Sequence, residues 1–466
     1  MVLGAARQGV ALARWLTLHE AIVTISDVRP ESALVETRAA LRELNIHWAL
    51  GGHPLELLDT ADVVCVSGGV PTNIPIVEEA VRRGIPLTND TQIFMEVVPC
   101  RTVGVTGSAG KTTTTALVGE MARTAFGGDE PQKQPAAEPG RRAFVGGNIG
   151  DPLLNHVDRM GADDLAVLEI SSFQLEQMTI SPNVAAVLNI TPNHLDRHKT
   201  MEAYVAAKKR ILDFQGTADK AVLGRDDPEA WNLRASVRGE TQTFGMSHFE
   251  GPGDGTYYDE GILYLLDRGV DIPLLRRDQI ELRGDHNVLN VLAAFAIGHA
   301  VGLPLDAMLH AAQAFRGMPH RLEMVRELNG VRWYDDSIAT APERVIAAIE
   351  SFTEPIVLLL GGRDKDLPWE ELAGLVCRRV DHVVLFGEAA VKIRQALTAA
   401  GAGSSAATRP YSLQTAAALR EAVSMAHKVA QAGDVVLLSP GGTSFDEFKD
   451  FEERGKSFRT WVQELT

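Results

Sequence analysis

Cysteine is scarce in this chain of 466 residues, which has only three cysteines, at positions 65, 100 and 377. An odd number of widely separated cysteines cannot form a disulfide framework, so we expect a reducing compartment, the cytoplasm. Positive charge is also in deficit, because 45 basic residues face 61 acidic ones and the net charge is −16. A protein that binds nucleic acid by neutralising phosphates needs the opposite balance, so we expect no nucleic-acid partner.

Long apolar runs are missing as well. The most apolar helix-like segment, residues 288–309, contains Asn290, His299 and Asp306, whereas a membrane span needs about 20 mostly apolar residues. The first ten residues lack a basic segment followed by an apolar core. We therefore expect neither a secretory signal nor a membrane span.

What the sequence does contain is an alternation of short β-rich runs and helical runs, which is typical of parallel sheets with crossover helices. At roughly 150 residues per domain, the length fits about three domains. We place three α/β units at residues 1–98, 99–303 and 304–466. The Pro- and Gly-rich segment 127–140 is predicted to be a surface insertion.

The strongest local signal is GVTGSAGKTT, residues 104–113, between a predicted strand at 102–106 and a predicted helix at 114–122. Such a loop turns backbone N–H groups toward phosphates, and the helix N-terminus adds favourable potential. Lys111 would reach the β- and γ-phosphates, and Thr112 would hold Mg²⁺. The alternative, a glycine-rich turn with a chance lysine, is disfavoured because strand, loop and helix agree. The predicted phosphate-binding residues are Gly107, Ser108, Ala109, Gly110, Lys111, Thr112 and Thr113.

Polar residues follow several other predicted strands, where the ligands of open α/β sheets bind. Glu169 is a candidate metal ligand beside the phosphate loop, although an acid that caps a helix starting at Ser171 fits equally well. His194 is a candidate metal or phosphate ligand, or else a hydrogen-bonded loop residue. Lys208 lies in a basic helical run that the pattern alone assigns to a solvated face. Arg321 is either a phosphate-neutralising arginine or a surface residue in a turn.

The order of these segments closely resembles that of the Mur ligases, and the likeness covers nearly the whole chain. Two segments, LEISSFQLE and SFDEFK, favour the members that add D-glutamate over those that add L-alanine, diaminopimelate, lysine or the terminal dipeptide. Folylpolyglutamate synthase shares the ATPase core but not the last segment. The segments that carry the resemblance are GVTGSAGKTTT, GGNIG, LEISSFQLE, NITPNHLDRH, YVAAKKRI, GDHNVLN, MPHRLE, DDSIAT, LLLGGRDKD and SPGGTSFDEFKDFEERG.

The resemblance implies a fold: a Rossmann-like UDP-binding domain over 1–98, a central P-loop ATPase-like domain with a mostly parallel sheet over 99–303, and a Rossmann-like amino-acid-binding domain over 304–466. It also implies a monomeric ligase of peptidoglycan synthesis. Such a ligase uses ATP to join UDP-N-acetylmuramoyl-L-alanine to D-glutamate through an acyl phosphate and a tetrahedral intermediate. The alternatives are another ligase of this kind, or a nucleotide-binding protein without catalysis, which the intact Lys111, Glu169, His194 and Lys208 disfavour.

Site residues follow from the resemblance, motif by motif. Two Mg²⁺ ions are implied, with Lys208 carried as a carbamate, which turns a cation into a carboxylate-like group. The implied metal ligands are Thr112, Glu169, His194 and Lys208. Beyond the loop, the implied ATP-binding residues are Asn287, Asn290, Arg321 and Asp336. The expected UDP-substrate residues are Asp27, Arg29, Ser67, Gly69 and Asn148. The implied D-glutamate residues are Thr340, Lys365, Ser444 and Phe451.

Overall fold

A computed structural model of the chain describes residues 1–126, 140–251, 253–401 and 409–466. The predicted insertion therefore lies outside the described residues, apart from Gly140. The described residues form three α/β sheets of five, nine and six strands, which confirms the predicted three-domain α/β class. Contacts divide the chain into two compact units, Met1–Glu281 with His286–Phe315 and Leu282–Asp285 with Arg316–Thr466. The boundaries proposed between the three predicted domains stay predictions.

The first sheet is parallel throughout and belongs to the first unit. Its strands are β1 (Val2–Leu3), β2 (Val23–Asp27), β3 (Ile46–Leu50), β4 (Val64–Val66) and β5 (Leu87–Thr88), and its helices are α1 (Arg7–Leu18), α2 (Val35–Ala40), α3 (Pro75–Arg82) and α4 (Asp90–Val97). The strand order is β3-β2-β1-β4-β5. Because the order reverses between β1 and β4, the carboxyl ends of these strands border the crevice where such sheets bind ligands.

The second sheet, also in the first unit, carries the phosphate loop. Its strands are β6 (Arg101–Thr106), β7 (Ala143–Gly147), β8 (Leu165–Glu169), β9 (Val184–Val187), β10 (Lys220–Gly224), β11 (Glu240–Gly245), β12 (Gly255–Asp259), β13 (Ile262–Asp267) and β14 (Val270–Arg276). The helices are α5 (Lys111–Phe126), α6 (Ser172–Leu175), α7 (Leu195–His198), α8 (Met201–Asp213), α9 (Pro228–Asn232), α10 (Asp285–Val301) and α11 (Leu305–Ala314). The order is β14-β13-β12-β11-β10-β9-β6-β8-β7.

The centre of this sheet explains why its sequence reads as apolar runs. Strands β8 and β9 are buried along their whole length, as expected for parallel strands covered by helices on both faces. Strands β12, β13 and β14 instead form an antiparallel meander at one edge, which the sequence analysis did not predict. Glu260-Gly261 and Arg268-Gly269 all have positive φ, the geometry of two-residue hairpin turns.

The third sheet lies in the second unit and has a helical layer on each side. Its strands are β15 (Glu323–Leu328), β16 (Val331–Asp335), β17 (Ile356–Gly361), β18 (His382–Phe386), β19 (Ser412–Thr415) and β20 (Val435–Gly441), and its helices are α12 (Pro342–Glu350), α13 (Glu370–Arg379), α14 (Ala390–Gly401), α15 (Leu419–Val429) and α16 (Phe451–Glu464). The order is β15-β16-β20-β17-β18-β19, with only β15 antiparallel to its neighbour. Two apolar cores flank this sheet. Among the described residues of the whole chain, no helix has the length and apolarity needed to cross a membrane.

Candidate active site

The phosphate loop connects β6 to α5, as the sequence predicts. Gly110 has a φ of +83°, and an added Cβ would lie 2.2 Å from Asn290 Oδ1. Ala109 N donates to Asn189 Oδ1 at 2.9 Å, and Asn189 Nδ2 donates to Ala109 O at 3.2 Å. Lys111 Nζ donates to Gly107 O at 2.7 Å. The loop is therefore fixed from the end of β9, and only glycine fits at position 110.

Glu169 is the last residue of β8, and its buried carboxylate joins two neighbouring segments. Thr112 Oγ1 donates to Glu169 Oε2 at 2.8 Å, and Asn148 Nδ2 donates to Oε1 at 2.9 Å. Helix α6 has its own capping box, formed by Ser171 and Gln174. The helix-capping interpretation of Glu169 is therefore wrong. A carboxylate, a hydroxyl and an amide oxygen in one place suit a hard divalent cation.

Lys208 lies on α8 and is only 1% exposed. Its Nζ donates to Gly107 O at 2.9 Å and lies 4.7 Å from the centre of the Tyr204 ring. Burial lowers the pKa of this ammonium well below its usual value, and the nearby Lys111 lowers it further, while Glu169 opposes the shift. The solvated-face interpretation of the basic run is wrong for this residue, because Tyr204 and Ile211 are buried on the same face of α8.

The two histidines of the NITPNHLDRH segment differ in their surroundings. His194 is exposed, has a φ of +53°, and packs edge-on against Phe173 with ring centres 5.2 Å apart. His198 is buried, with Nε2 2.9 Å from Ser172 Oγ and Nδ1 3.1 Å from the Glu176 carboxylate. His198 is therefore held by protein groups on both ring nitrogens, and His194 stays the candidate ligand.

Asn287 and Asn290 come together on α10. Asn290 Nδ2 donates to Asn287 Oδ1 at 3.0 Å, and both side chains are buried. Because Asn290 also packs on Gly110, this amide pair lies directly beside the phosphate loop. The sequence-predicted ATP residues of the first unit thus lie in one neighbourhood.

Four of the five predicted UDP residues lie near strand ends of the first sheet, whereas Asn148 follows β7 of the second sheet. Asp27 accepts the N–H of Ala5 at 2.7 Å and two bonds from the Arg29 guanidinium at 3.0 and 2.8 Å. Those bonds from Arg29 hold the pKa of the Asp27 carboxyl far below its usual value. Ser67 is buried and donates to Gly4 O at 3.3 Å, whereas Gly69 is exposed.

Arg197 links this loop to the second sheet, and the sequence analysis did not single it out. Its guanidinium stacks on Phe173, 3.8 Å from the ring centre, and donates to Gly68 O at 3.4 Å and Val70 O at 3.2 Å. Arg197 follows His194 by three positions, so one short segment contacts the strand ends of both sheets. No local pattern distinguishes this arginine from a surface one.

In the second unit, the predicted nucleotide residue Asp336 is buried at the end of β16. Ser439 Oγ donates to its Oδ2 at 2.8 Å and Leu322 N donates to its Oδ1 at 3.3 Å. Burial raises the pKa of Asp336 to about 7, against the opposing effects of these bonds and of Arg321. The neighbouring Asp335 accepts a bond from His320 Nδ1 at 2.7 Å, so this His-Asp pair is satisfied within the fold.

The predicted amino-acid residues are distributed over three strand ends and the start of α16. Lys365 Nζ donates to Thr340 Oγ1 at 3.2 Å, and Ser444 is buried after β20. Phe451 O accepts a bond from Ser337 Oγ at 2.8 Å. Thr340 and Lys365 are thus joined by a direct hydrogen bond. Phe451 is bonded instead to Ser337, which the sequence does not predict as a site residue.

Three family models match the chain in order. "Mur ligase MurD-like, N-terminal domain" matches residues 1–89, "Mur ligase middle domain" matches 105–298, and "Mur ligase, glutamate ligase domain" matches 320–442. Among solved structures, the UDP-N-acetylmuramate-alanine ligase MurC of Thermotoga maritima shares the fold, with a TM-score of 0.57, 20% identity and coverage of 99% of this chain and 98% of that one.

Two curated relatives match over the full length. The chain is 39% identical to the UDP-N-acetylmuramoylalanine--D-glutamate ligase of Symbiobacterium thermophilum over 465 residues, covering 100% of this chain and 98% of the relative. It is 40% identical to the protein of the same name from Pelotomaculum thermopropionicum over 470 residues, covering 100% and 97%. The chain therefore belongs to the Mur ligase family, in the group of the UDP-N-acetylmuramoylalanine--D-glutamate ligases.

Proposed function

We propose that this chain uses ATP to join D-glutamate to UDP-N-acetylmuramoyl-L-alanine, as a monomer in cytoplasmic peptidoglycan precursor synthesis. The observation that carries the proposal is the pair of hydrogen bonds by which buried Glu169 joins Thr112 of the phosphate loop to Asn148. These bonds gather oxygen ligands beside a loop built for nucleotide phosphates. The names of the full-length relatives support the choice of amino acid.

A magnesium ion fits the donor set at the end of β8, because it prefers oxygen ligands and Glu169 supplies a carboxylate that is only 2% exposed. We assign Thr112 and Glu169 to one ion, and His194 with a carbamylated Lys208 to a second. When bound, such ions supply positive charge that stabilises the transferring phosphoryl group.

The surroundings of Lys208 favour its carbamylation. An amine whose pKa is lowered by burial is more often neutral, and only the neutral amine has the lone pair that attacks CO2. The Nζ atom forms a bond to the carbon of CO2 and releases one proton to solvent. The product is an anion where the unmodified chain has a cation, which is the charge a metal ligand needs.

The chemistry begins with a carboxylate, which is a poor acyl donor. The L-alanine carboxylate of the substrate attacks the γ-phosphorus of ATP, and ADP leaves. The D-glutamate amine then attacks the acyl phosphate, and the tetrahedral intermediate expels phosphate. Lys111 and the loop N–H groups hold the phosphates in this scheme.

The remaining assignments follow the groups that each ligand offers. Lys365 is the cation for the anionic side chain of D-glutamate, because an ion-paired hydrogen bond is stronger than a neutral one. The other amino-acid residues are Thr340, Ser444 and Phe451. The other nucleotide residues are Asn287, Asn290, Arg321 and Asp336. The UDP-substrate residues are Asp27, Arg29, Ser67, Gly69 and Asn148.

The test is phosphate release from ATP with UDP-N-acetylmuramoyl-L-alanine while the amino acid is varied. We expect turnover with D-glutamate to exceed that with L-alanine, L-lysine or diaminopimelate by at least about 100-fold, since a site built for a second carboxylate rejects amino acids that lack it. A reaction without the UDP substrate is the control for ATP hydrolysis alone. Equal turnover with all four amino acids would contradict the assignment, and no turnover with any of them would favour a nucleotide-binding protein without catalysis.

A further inference from the structure

Arg454 lies on α16 with none of its surface exposed. Its Nε donates to Ser337 Oγ at 2.9 Å, and its two terminal nitrogens donate to Ser337 O at 2.8 Å and Gly442 O at 3.1 Å. All three acceptors are uncharged, and within the described part of the chain no carboxylate lies within ion-pair distance of the guanidinium. Burying a charge in this way is costly for a fold, so packing alone does not explain it.

The position of Arg454 relates it to two strand ends. Ser337 directly follows Asp336 at the end of β16, and its hydroxyl donates to Phe451 O. Gly442 follows β20 and precedes Ser444 by two positions. One guanidinium therefore fixes both segments that lead into the proposed amino-acid residues.

The end of β17 is adapted to the same side chain. Gly362 has a φ of +89°, and a Cβ added there would lie 2.9 Å from a terminal nitrogen of Arg454 and 2.2 Å from Thr443 O. A larger residue would displace the arginine or the backbone after β20. The ends of β16, β17 and β20, which lead to Thr340, Lys365 and Ser444, thus converge on Arg454.

The charge of Arg454 also affects Lys365 in the proposed amino-acid site. Burial lowers the pKa of Arg454 to about 10, although carboxylates beyond ion-pair distance, chiefly that of Asp446, favour the charged form, so the guanidinium stays protonated at neutral pH. The pKa of Lys365 is lowered mainly by burial, with further lowering by Arg344 and Arg454. Lys365 therefore feels the positive field of the buried arginine while it donates to Thr340.

We propose that Arg454 is a positioning residue for the amino-acid substrate: it holds the ends of β16 and β20 in place and supplies buried positive charge beneath a ligand with two carboxylates. This inference rests on the proposed function. If the inference holds, removal of Arg454 weakens binding of the anionic amino acid selectively. Removal of a purely structural arginine would weaken binding of all three substrates together.

The test compares Arg454→Met and Arg454→Lys with Arg326→Met. Arg326 is a matched control, because its guanidinium also makes three hydrogen bonds to uncharged acceptors of the second unit, the carbonyls of Val462, Gln463 and Leu465. Steady-state phosphate release gives KM for D-glutamate, ATP and the UDP substrate, and thermal unfolding gives Tm for each variant.

We expect Arg454→Met to raise KM for D-glutamate at least about tenfold, with less than about threefold change for ATP and the UDP substrate, and Arg454→Lys to recover part of the loss. Arg326→Met should leave all three KM values unchanged. The inference is overturned if the three KM values rise together, or if KM for D-glutamate is unchanged. If Arg454→Met does not fold, the same comparison of the three KM values is made with Arg454→Lys, and the same outcomes overturn the inference. Failure of the wild-type chain to use D-glutamate would instead refute the proposed function.

Discussion

Replacing Lys208 by methionine separates the role of this amine in folding from its role in catalysis. Methionine fills a similar volume and removes the nitrogen, so it creates no large cavity in α8. The hydrogen bond from Nζ to Gly107 O is lost. That carbonyl keeps its bond from Lys111 Nζ at 2.7 Å. The buried Thr106 Oγ1 loses a long bond from Lys208 Nζ, at 3.5 Å.

The expected change in stability is small and has a definite pH dependence. A lost hydrogen bond costs about 1 kcal/mol, and removal of a desolvated amine offsets it. Because burial lowers the pKa of Lys208 in the fold, the unfolded chain binds more protons at this group below its ordinary pKa. The wild type therefore gains stability as pH rises, and any advantage of the methionine variant shrinks in the same direction.

The expected change in activity is much larger. If Lys208, as a carbamate, would hold the second Mg²⁺, its loss should lower kcat about 10²–10³-fold, as removal of one preorganised group at a transition state does. Lys209→Met is the control, since Lys209 is the next residue on α8 and pairs with Asp213 nearer the surface. Lys208→Ala, which leaves space, should regain part of the activity with formate or acetate. Activity of Lys208→Met within threefold of Lys209→Met would refute the reasoning.

Three further changes test other parts of the site. Glu169→Gln removes the charge of the carboxylate but keeps its shape, so we expect phosphate release to fall at least about 100-fold and to need more Mg²⁺, with Tm nearly unchanged. Asp336→Asn tests the buried acid. Because the pKa of Asp336 in the fold is about 7, its protonated form stabilises the fold at low pH, and this stabilisation is lost as pH rises through about 7. The free energy of unfolding of the asparagine variant, measured with denaturant, should therefore rise by roughly 2–3 kcal/mol relative to wild type between about pH 5 and about pH 8. A difference between the two proteins that stays constant with pH would contradict the raised pKa. In Gly110→Ala the new Cβ would lie 2.2 Å from Asn290 Oδ1 and alanine would have to adopt a positive φ, so KM for ATP should rise more than about tenfold. Gly161→Ala, whose Cβ would have no neighbour nearer than 3.9 Å, should behave as wild type.

The strand-end positions could be predicted from the sequence because they depend on local patterns. The strand, glycine loop and helix around Lys111 agree with one another. Glu169 follows the apolar run 165–168, whose short length favours a buried strand. The antiparallel meander was not predicted, although Glu260-Gly261 is a hairpin signal, because the residues around this pair do not alternate cleanly between apolar and polar.

Burial of charged residues is the part that local patterns predicted worst. The basic run predicts a solvent-exposed Lys208 because two more basic residues follow it, yet its spacing of four from Tyr204 and three from Ile211 places it on the buried face of α8. Arg454 follows two glutamates and nothing nearby marks it as buried. Its environment is set by strand ends more than 80 residues away in sequence as well as by Gly442, and only the folded chain brings them together.

Arg454 also helps to resolve an apparent conflict between a net charge of −16 and ligands that are all anionic. Arg454 donates to neutral oxygens, and within the described residues it has no carboxylate in ion-pair range. A solvent-exposed cation would be screened by water and salt, whereas a buried one acts in a medium of low dielectric constant and is felt strongly by a bound anion. The fold thus carries a desolvation cost at Arg454. An anionic substrate can compensate it, so binding of that substrate should raise Tm more in wild type than in Arg454→Met.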